Sequence, residues 1–153
     1  MLNDNIRTSI RESVLCWLAT VDLEGIPNVS PKEIFTEFGT NEIIIANIAS
    51  PNSAKNIAKT PSVCVSFINV FTQKGYKIKG NATIFLPDQV GFDERYQPLY
   101  KLAGDKFPIH SVFGVIASKV SPIIAPRYHL YPGTSEQDQI QSAYRTYGVV
   151  GEG

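Results

Sequence analysis

A short polar segment between two apolar runs carries residue types that bind phosphate. The segment is Ser50-Pro51-Asn52-Ser53-Ala54-Lys55-Asn56. It predicts a helix over residues 51–59, with Ser50 as the N-cap and Pro51 at the first helical position. Free backbone N–H groups at a helix start, together with serine hydroxyls and a lysine ammonium, can hold a phosphate. The alternative is an ordinary helix start that binds only water and leaves Lys55 and Lys59 on a solvated face.

A second polar segment, Ser30-Pro31-Lys32-Glu33, interrupts a strand that is otherwise apolar. Proline within a strand indicates an edge or a bulge, where free backbone groups can bond a ligand. The alternative is a charged edge strand that prevents aggregation. Gly75 and Gly80 bracket a later strand, and glycine at a strand end permits close approach by a ligand or partner. For Gly75, simple turn geometry is the favoured explanation.

The chain lacks the motifs of several common enzyme classes. It has no G-x-S-x-G motif, no G-x-G-x-x-G motif and no P-loop. His110 and His129 have no Cys or Ser partner at a recognised spacing, so each is predicted to be structural or exposed rather than catalytic. Cys16 and Cys64 form no CxxC pair, so we expect two buried free thiols and no zinc site.

The composition limits the classes of partner. The 153 residues contain 14 Lys and Arg against 14 Asp and Glu, which gives a net charge of zero. Because nucleic-acid binders normally carry a basic excess, this balance argues against nucleic acid as the partner. A near-neutral surface is compatible with self-association. No apolar run approaches the length of a membrane span, and the polar N-terminus does not resemble a signal peptide, so a cytoplasmic protein is expected.

The hydropathy pattern predicts strands joined as hairpins, with helices only at connections and ends. Strands are predicted over residues 14–21, 27–35, 43–45, 63–70, 76–85 and 111–120. Helices are predicted over 4–13, 51–59, 88–104 with an interruption near Pro98, and 136–147. The stretch from Pro122 to Pro132 is predicted to be an irregular, partly extended arm. The pattern favours one mainly antiparallel β-barrel domain over residues 1–153, with 122–153 as a C-terminal arm and helix.

Three segments, in their order and spacing, resemble the FMN-binding split-barrel family, which includes pyridoxamine 5'-phosphate oxidase and small FMN-binding proteins. They are Ala19 to Lys32, Ile45 through the residue 53–57 helix to Phe67, and Gly75 to Ala82. The resemblance implies a mainly β, antiparallel, Greek-key split barrel with a few peripheral helices. It also implies a homodimer with two FMN molecules at the subunit interface.

The resemblance further implies which residues bind the flavin. In the family, one strand lines the flavin ring largely through its backbone, and its equivalents here are Val29, Ser30, Pro31 and Lys32. A lysine there could also face the anionic pyrimidine side of reduced flavin. A strand end continues this wall at Ala46 and Asn47. The following helix start holds the phosphate, which carries over to Ser50, Asn52, Ser53 and Lys55. Gly75 closes the site, often from the other subunit.

Two departures separate this chain from a true pyridoxamine 5'-phosphate oxidase. The oxidase motif has Ser-Arg-Lys where this chain has Ser53-Ala54-Lys55, so one phosphate cation is missing unless Lys32 or Asn52 compensates. The oxidase's C-terminal Trp and Arg segment, which recognises the vitamin substrate, has no convincing equivalent. Arg127 and Arg145 lie in the corresponding third of the chain but in a different context.

Several functions remain open from the sequence. The leading hypothesis is a cytoplasmic, dimeric, FMN-dependent oxidoreductase that exchanges hydride between the flavin and a small-molecule substrate or electron donor. No catalytic side chain is identified. The second hypothesis is a non-enzymatic FMN carrier for electron transfer or storage. A third is a flavin-free barrel that binds haem, with His110 or His129 as the iron ligand. A nucleic-acid-binding β-barrel is the most distant option.

Overall fold

Seven antiparallel strands form a curled sheet in the computed structural model, which describes residues 1–150. The strands are β1 (Cys16–Val21), β2 (Pro27–Lys32), β3 (Phe35–Phe38), β4 (Glu42–Asn47), β5 (Ser62–Asn69), β6 (Lys74–Phe85) and β7 (Ser111–Ile124). They lie in the order β2-β1-β5-β6-β7-β4-β3, and each neighbouring pair is antiparallel. This confirms the predicted mainly β, antiparallel architecture and places β2 at an edge, as its proline predicts.

Helices cover the ends and connections of the sheet. They are α1 (Asp4–Glu12), α2 (Pro51–Lys59), α3 (Phe92–Ala103), α4 (Pro126–Leu130) and α5 (Glu136–Tyr147). Helix α2 connects β4 to β5 and packs against β1, β2 and β6, so its first turn lies beside the edge strand. Within residues 1–150, no helix is long and apolar enough to cross a membrane.

The apolar face of the sheet lies inside the curl. In β6, buried Ile78 alternates with exposed Lys77 and Lys79, which is the period-2 pattern that predicted the strand. The main core contains Leu18, Val65, Phe67, Ile78 and Phe113, all at most 1% exposed, and α1 closes it with Ile6 and Ile10. A second cluster fixes α3 against β4 and β7. These two clusters fix the positions of the strands and helices, including those of β2 and α2, which carry the polar side chains.

Several predicted boundaries differ from the structure. The strand predicted over 27–35 is divided into β2 and β3. The predicted arm is extended at its start, where β7 continues through Pro122 to Ile124, but it is not irregular after that, because the helix α4 follows. Proline is tolerated there because β4 pairs with β7 only as far as Ile116, which leaves β6 as the one ladder partner of the Pro122 segment.

Two further predictions concern α3 and the cysteines. Pro98 does not interrupt α3, which runs continuously from Phe92 to Ala103. The fully buried Leu99, next to Pro98, packs into the second core and offsets the lost backbone hydrogen bond. Cys16 is buried as predicted, but Cys64 is only half-buried because it faces outward on β5.

Candidate functional site

Lys32 ends the edge strand β2 and buries its ammonium group beside the first turn of α2. The residue is 6% exposed. Its Nζ donates hydrogen bonds to Ser30 Oγ at 2.6 Å and to Ser50 Oγ at 2.5 Å. Ser30 Oγ lies 3.1 Å from Ser53 Oγ, and Ser53 is 1% exposed. We call these four residues the Lys32 cluster, and it ties the two segments that the sequence selected into one site.

The Lys32 cluster contains a buried positive charge without a carboxylate partner. The ion pairs in residues 1–150 do not include Lys32. Burial lowers the pKa of the Lys32 ammonium, and the neighbouring Cys16 opposes this shift. An ammonium removed from water without a counter-ion is costly. Two serine oxygens accept hydrogen bonds from two of the three N–H donors of Lys32, and the described residues supply no acceptor for the third. The cluster is therefore suited to an anionic or oxygen-rich ligand.

The start of α2 has no side-chain cap. Ser50 occupies the N-cap position as predicted, but its hydroxyl accepts from Lys32 and makes no capping bond to α2. The Ser50 N–H donates to Asn47 Oδ1 at 3.1 Å, and Asn47 Nδ2 donates to Ser111 Oγ at 3.0 Å. Asn47 therefore fixes the entry into the helix. Uncapped N–H groups in a first turn, where the helix dipole is positive, attract anions.

A cavity of about 500 Å³ lies between the β1–β2 loop and the exposed side of α2. Lys55 and Lys59, one helical turn apart, line it and have no carboxylate within 4.0 Å in residues 1–150. Asn52 lines it at the helix start. The opposite wall is shaped by Asp22, whose Oδ1 accepts from the N–H groups of Glu24 and Ile26. The volume is that of a small-molecule site, lined by two lysines that make no ion pair in residues 1–150 and by two carboxylates, those of Asp22 and Glu24.

The structure brings some of the predicted site residues together and separates others. Ser30, Lys32, Ser50 and Ser53 form the Lys32 cluster, and Asn47 supports it. Asn52 and Lys55 line the cavity instead. Ser53 thus points to the cluster while Asn52 and Lys55 face the other side of the helix.

The remaining predicted site residues lie outside the cluster. Val29 and Pro31 are exposed on β2, with 58% of Val29 accessible. Ala46 is buried in the second core, so only its backbone could contact a ligand. Gly75 lies on β6, separated from β2 by β1 and β5, and packs against the backbone of Phe67. A contact between Gly75 and the Lys32 cluster is therefore not made within one chain.

Sequence reasoning missed two residues that build the site. Asn56, one turn after Asn52, is buried and donates from Nδ2 to Thr20 Oγ1 at 3.0 Å, which anchors α2 on β1. Cys16 pairs with Lys32 in the β1–β2 register. The spacing of Asn52 and Asn56 was a usable signal for one helix face. The Cys16–Lys32 pairing depends on the hairpin register, which the sequence leaves open.

The two histidines lie apart from this site. His110 and His129 are both exposed, the first immediately before β7 and the second in α4. Residues 1–150 contain no group of His, Cys, Asp and Glu side chains that could hold a metal ion.

Thiol labelling tests the burial of Cys16. Burial raises the pKa of Cys16 to about 12, with Lys32 acting in the opposite direction. At a pH of about 8, only about 10⁻⁴ of this thiol is ionised, and the thiolate is the reactive form. We expect the native protein to incorporate one label per chain, slowly, at Cys64, and two labels in denaturant. A Cys64→Ser variant should take up none while folded, and rapid labelling of that variant would contradict the buried position of Cys16.

Comparison with known proteins identifies the family. The family model for pyridoxamine 5'-phosphate oxidase matches residues 2–127. A search of curated proteins found no match. An FMN-binding protein from Syntrophomonas wolfei subsp. wolfei is 18% identical at a TM-score of 0.69, and the match covers 81% of this chain and 87% of that one.

Two other solved structures share the same architecture. HupZ of Group A Streptococcus is 21% identical at a TM-score of 0.67, over 82% of this chain and 99% of that one. The haem storage protein HutZ of Vibrio cholerae is 20% identical at a TM-score of 0.62, over 80% and 94%. At these identities the likeness establishes the fold, which is the predicted split barrel. Because the family model matches residues 2–127, which is most of this chain, the chain belongs to the pyridoxamine 5'-phosphate oxidase family.

Proposed function

We propose that this protein is a cytoplasmic, homodimeric flavoprotein that binds FMN and acts as an oxidoreductase on a small molecule. The observation that carries the proposal is the position of two unpaired basic groups on either side of the start of α2. One is the buried Lys32 ammonium, and the other is the cavity lysine Lys55. FMN carries a dianionic phosphate at one end and a ring that becomes anionic on reduction. It therefore has one negatively charged group to pair with each of these two lysines.

The residues on the cavity side fit the phosphate end. Asn52 and Lys55 supply side-chain donors, and the uncapped first turn of α2 supplies backbone donors. Lys59, one turn further along, is a second cation in the same cavity.

The Lys32 cluster fits the ring end. FMN, when bound, supplies hydride transfer. Lys32 would stabilise negative charge that develops beside it, and Ser30 and Ser50 hold its ammonium in one orientation so that little reorganisation is needed. The exposed Val29 and Trp17, on the adjacent strands β2 and β1, offer apolar surface for a second subunit, consistent with a site completed by a dimer.

The visible absorption spectrum tests the proposal first. We expect a two-banded yellow spectrum from the purified protein, with FMN released into the supernatant after heat denaturation. A colourless protein that also fails to take up added FMN would remove the flavoprotein proposal.

A double variant tests the assigned phosphate residues. Asn52→Ala with Lys55→Ala should raise the Kd for FMN about 10- to 100-fold, because hydrogen bonds to charged groups contribute about 1.5–3 kcal/mol. The measurement is quenching of flavin fluorescence on titration. Lys101→Ala, which removes an exposed lysine of α3, is the matched control and should leave the Kd unchanged. An unchanged Kd in the double variant would refute the phosphate assignment.

A second candidate function is non-enzymatic binding of flavin or haem. The structural likeness to HutZ, which is described as a haem storage protein, favours it. In that case the protein would bind FMN or haem without turnover of nicotinamide cofactors or small acceptors. A Soret band that shifts on mixing with haem, and that is lost in His110→Ala or His129→Ala, would favour this candidate.

A further inference from the structure

Three lysines stand together on the outer face of the sheet, separated from the edge strand β2 by β1 and β5. Lys77 and Lys79 are exposed at alternate positions of β6, and Lys119 of β7 pairs directly with Lys79. Directly paired side chains have Cβ atoms about 4.5–5.5 Å apart, and alternate residues of a strand stand about 7 Å apart. These three residues, which we call the lysine triad, can therefore reach a single ligand.

No acidic side chain balances the lysine triad. Strands β1, β2, β5, β6 and β7 contain no Asp or Glu. None of the three lysines has a carboxylate within 4.0 Å in the part of the chain that the structure describes. Like charges directly opposite one another in a sheet are destabilising. The Lys79–Lys119 pair therefore lowers stability in the isolated chain, and a bound anion would remove that penalty.

The neighbours of the triad add hydroxyl groups. Ser66 of β5 and Ser121 of β7 both pair with Lys77 in the strand register, and both are half-buried on the same outer face. Cys64 pairs with Lys79. Burial raises the pKa of the Cys64 thiol, and both Lys77 and Lys79 oppose that shift, so their charge acts at the centre of this face.

The basic region around the lysine triad is small, which favours a small ligand. Beyond β5 the outer face becomes apolar, at Trp17 on β1 and Val29 on β2. A protein with a net charge of zero also has no basic excess for the long track that a nucleic-acid strand follows. We propose that the lysine triad binds a small polyvalent anion, a compound with two or more phosphate or carboxylate charges, with Ser66 and Ser121 as additional donors. This site goes beyond the proposed flavin site, which it borders in the proposed dimer, because Gly75 lies two residues before Lys77 on the same face of β6.

The probe is pyrophosphate and the readout is the Tm of the 153-residue chain, at constant ionic strength set with sodium chloride. We expect pyrophosphate to raise the Tm in a saturable manner. Lys79→Gln should have a higher Tm than the wild type without the probe, because the opposed charges are gone. Its Kd for pyrophosphate should be higher than that of the wild type by about tenfold or more, which corresponds to about 1.4 kcal/mol of binding free energy. Lys101→Gln, on α3, is the matched control and should bind as the wild type does.

Other results overturn the proposal. One is the absence of stabilisation beyond that of chloride, and another is equal weakening by Lys101→Gln. Loss of binding in Lys55→Ala, with retention in Lys79→Gln, would place the anion beside α2, which favours the proposed function and refutes the triad site. Tighter binding of a 12-nucleotide thymidine strand, lost in Lys79→Gln, would identify nucleic acid as the ligand. A dimer that dissociates in Lys79→Gln would show that a second copy supplies the negative charge.

Discussion

Replacing Gly75 by alanine should lower the free energy of unfolding by about 3 kcal/mol or more, a severe case of overpacking. A Cβ at this position would lie 2.0 Å from Phe67 O and 2.7 Å from Ile68 Cα. Both are backbone atoms of β5, so no side chain can rotate away, and the β5–β6 ladder must separate. For a chain of this length the Tm should fall by about 6–12 °C.

The matched control is Gly133→Ala, because Gly133 has no atom within 4 Å of a built Cβ. That change should alter stability by about 0.5 kcal/mol at most. Both variants are measured by urea denaturation of the FMN-free protein, so that a lost cofactor cannot account for the difference. If Gly75→Ala were as stable as Gly133→Ala, β5 and β6 could not lie as close together at Gly75 as the structure has them. A ligand contact through the partner subunit would then be the remaining reason for a glycine there.

Replacing Arg95 by leucine should lower the free energy of unfolding by about 3–5 kcal/mol. Arg95 Nε and Nη2 donate to Glu42 Oε1 and Oε2 at 2.7 and 2.8 Å, which is a bidentate pair between α3 and β4. The guanidinium also lies 4.1 Å from the Phe85 ring centre and 4.8 Å from that of Phe38. Without it, Glu42, whose side chain is 8% exposed, retains a charge that neither water nor a cation compensates.

An exposed ion pair of the same length is the control for this prediction. Lys74 Nζ lies 2.7 Å from Glu136 Oε1, but the two side chains are 40% and 57% exposed. Lys74→Met should therefore cost about 1 kcal/mol or less. Adding Glu42→Gln to Arg95→Leu should recover part of the lost stability, because it removes the uncompensated charge. Equal effects of breaking the buried and the exposed pair would contradict the burial of Glu42.

Local patterns in the sequence were sufficient for most strands and for α2. The alternation in β6 and the Ser50-Pro51 helix start depend only on residues close in the chain, and both are present in the structure. Boundaries failed where tertiary packing overrode local preference. Pro98 remains inside α3 because Leu99 is fully buried, and Pro122 remains inside β7 because that stretch has a single ladder partner.

The residues of the candidate site were predictable by type but not by arrangement. The sequence by itself determined that serines and a lysine stand at the edge strand and at a helix start, because proline and N-cap signals are local. Only the tertiary structure decided that Lys32 donates to Ser50, 18 residues away, while Lys55 lines the cavity between α2 and the β1–β2 loop. Hydrogen bonds of this kind depend on strand register and on how α2 packs against β1 and β2. Those are set by the burial of the whole core, to which residues from every part of the chain contribute.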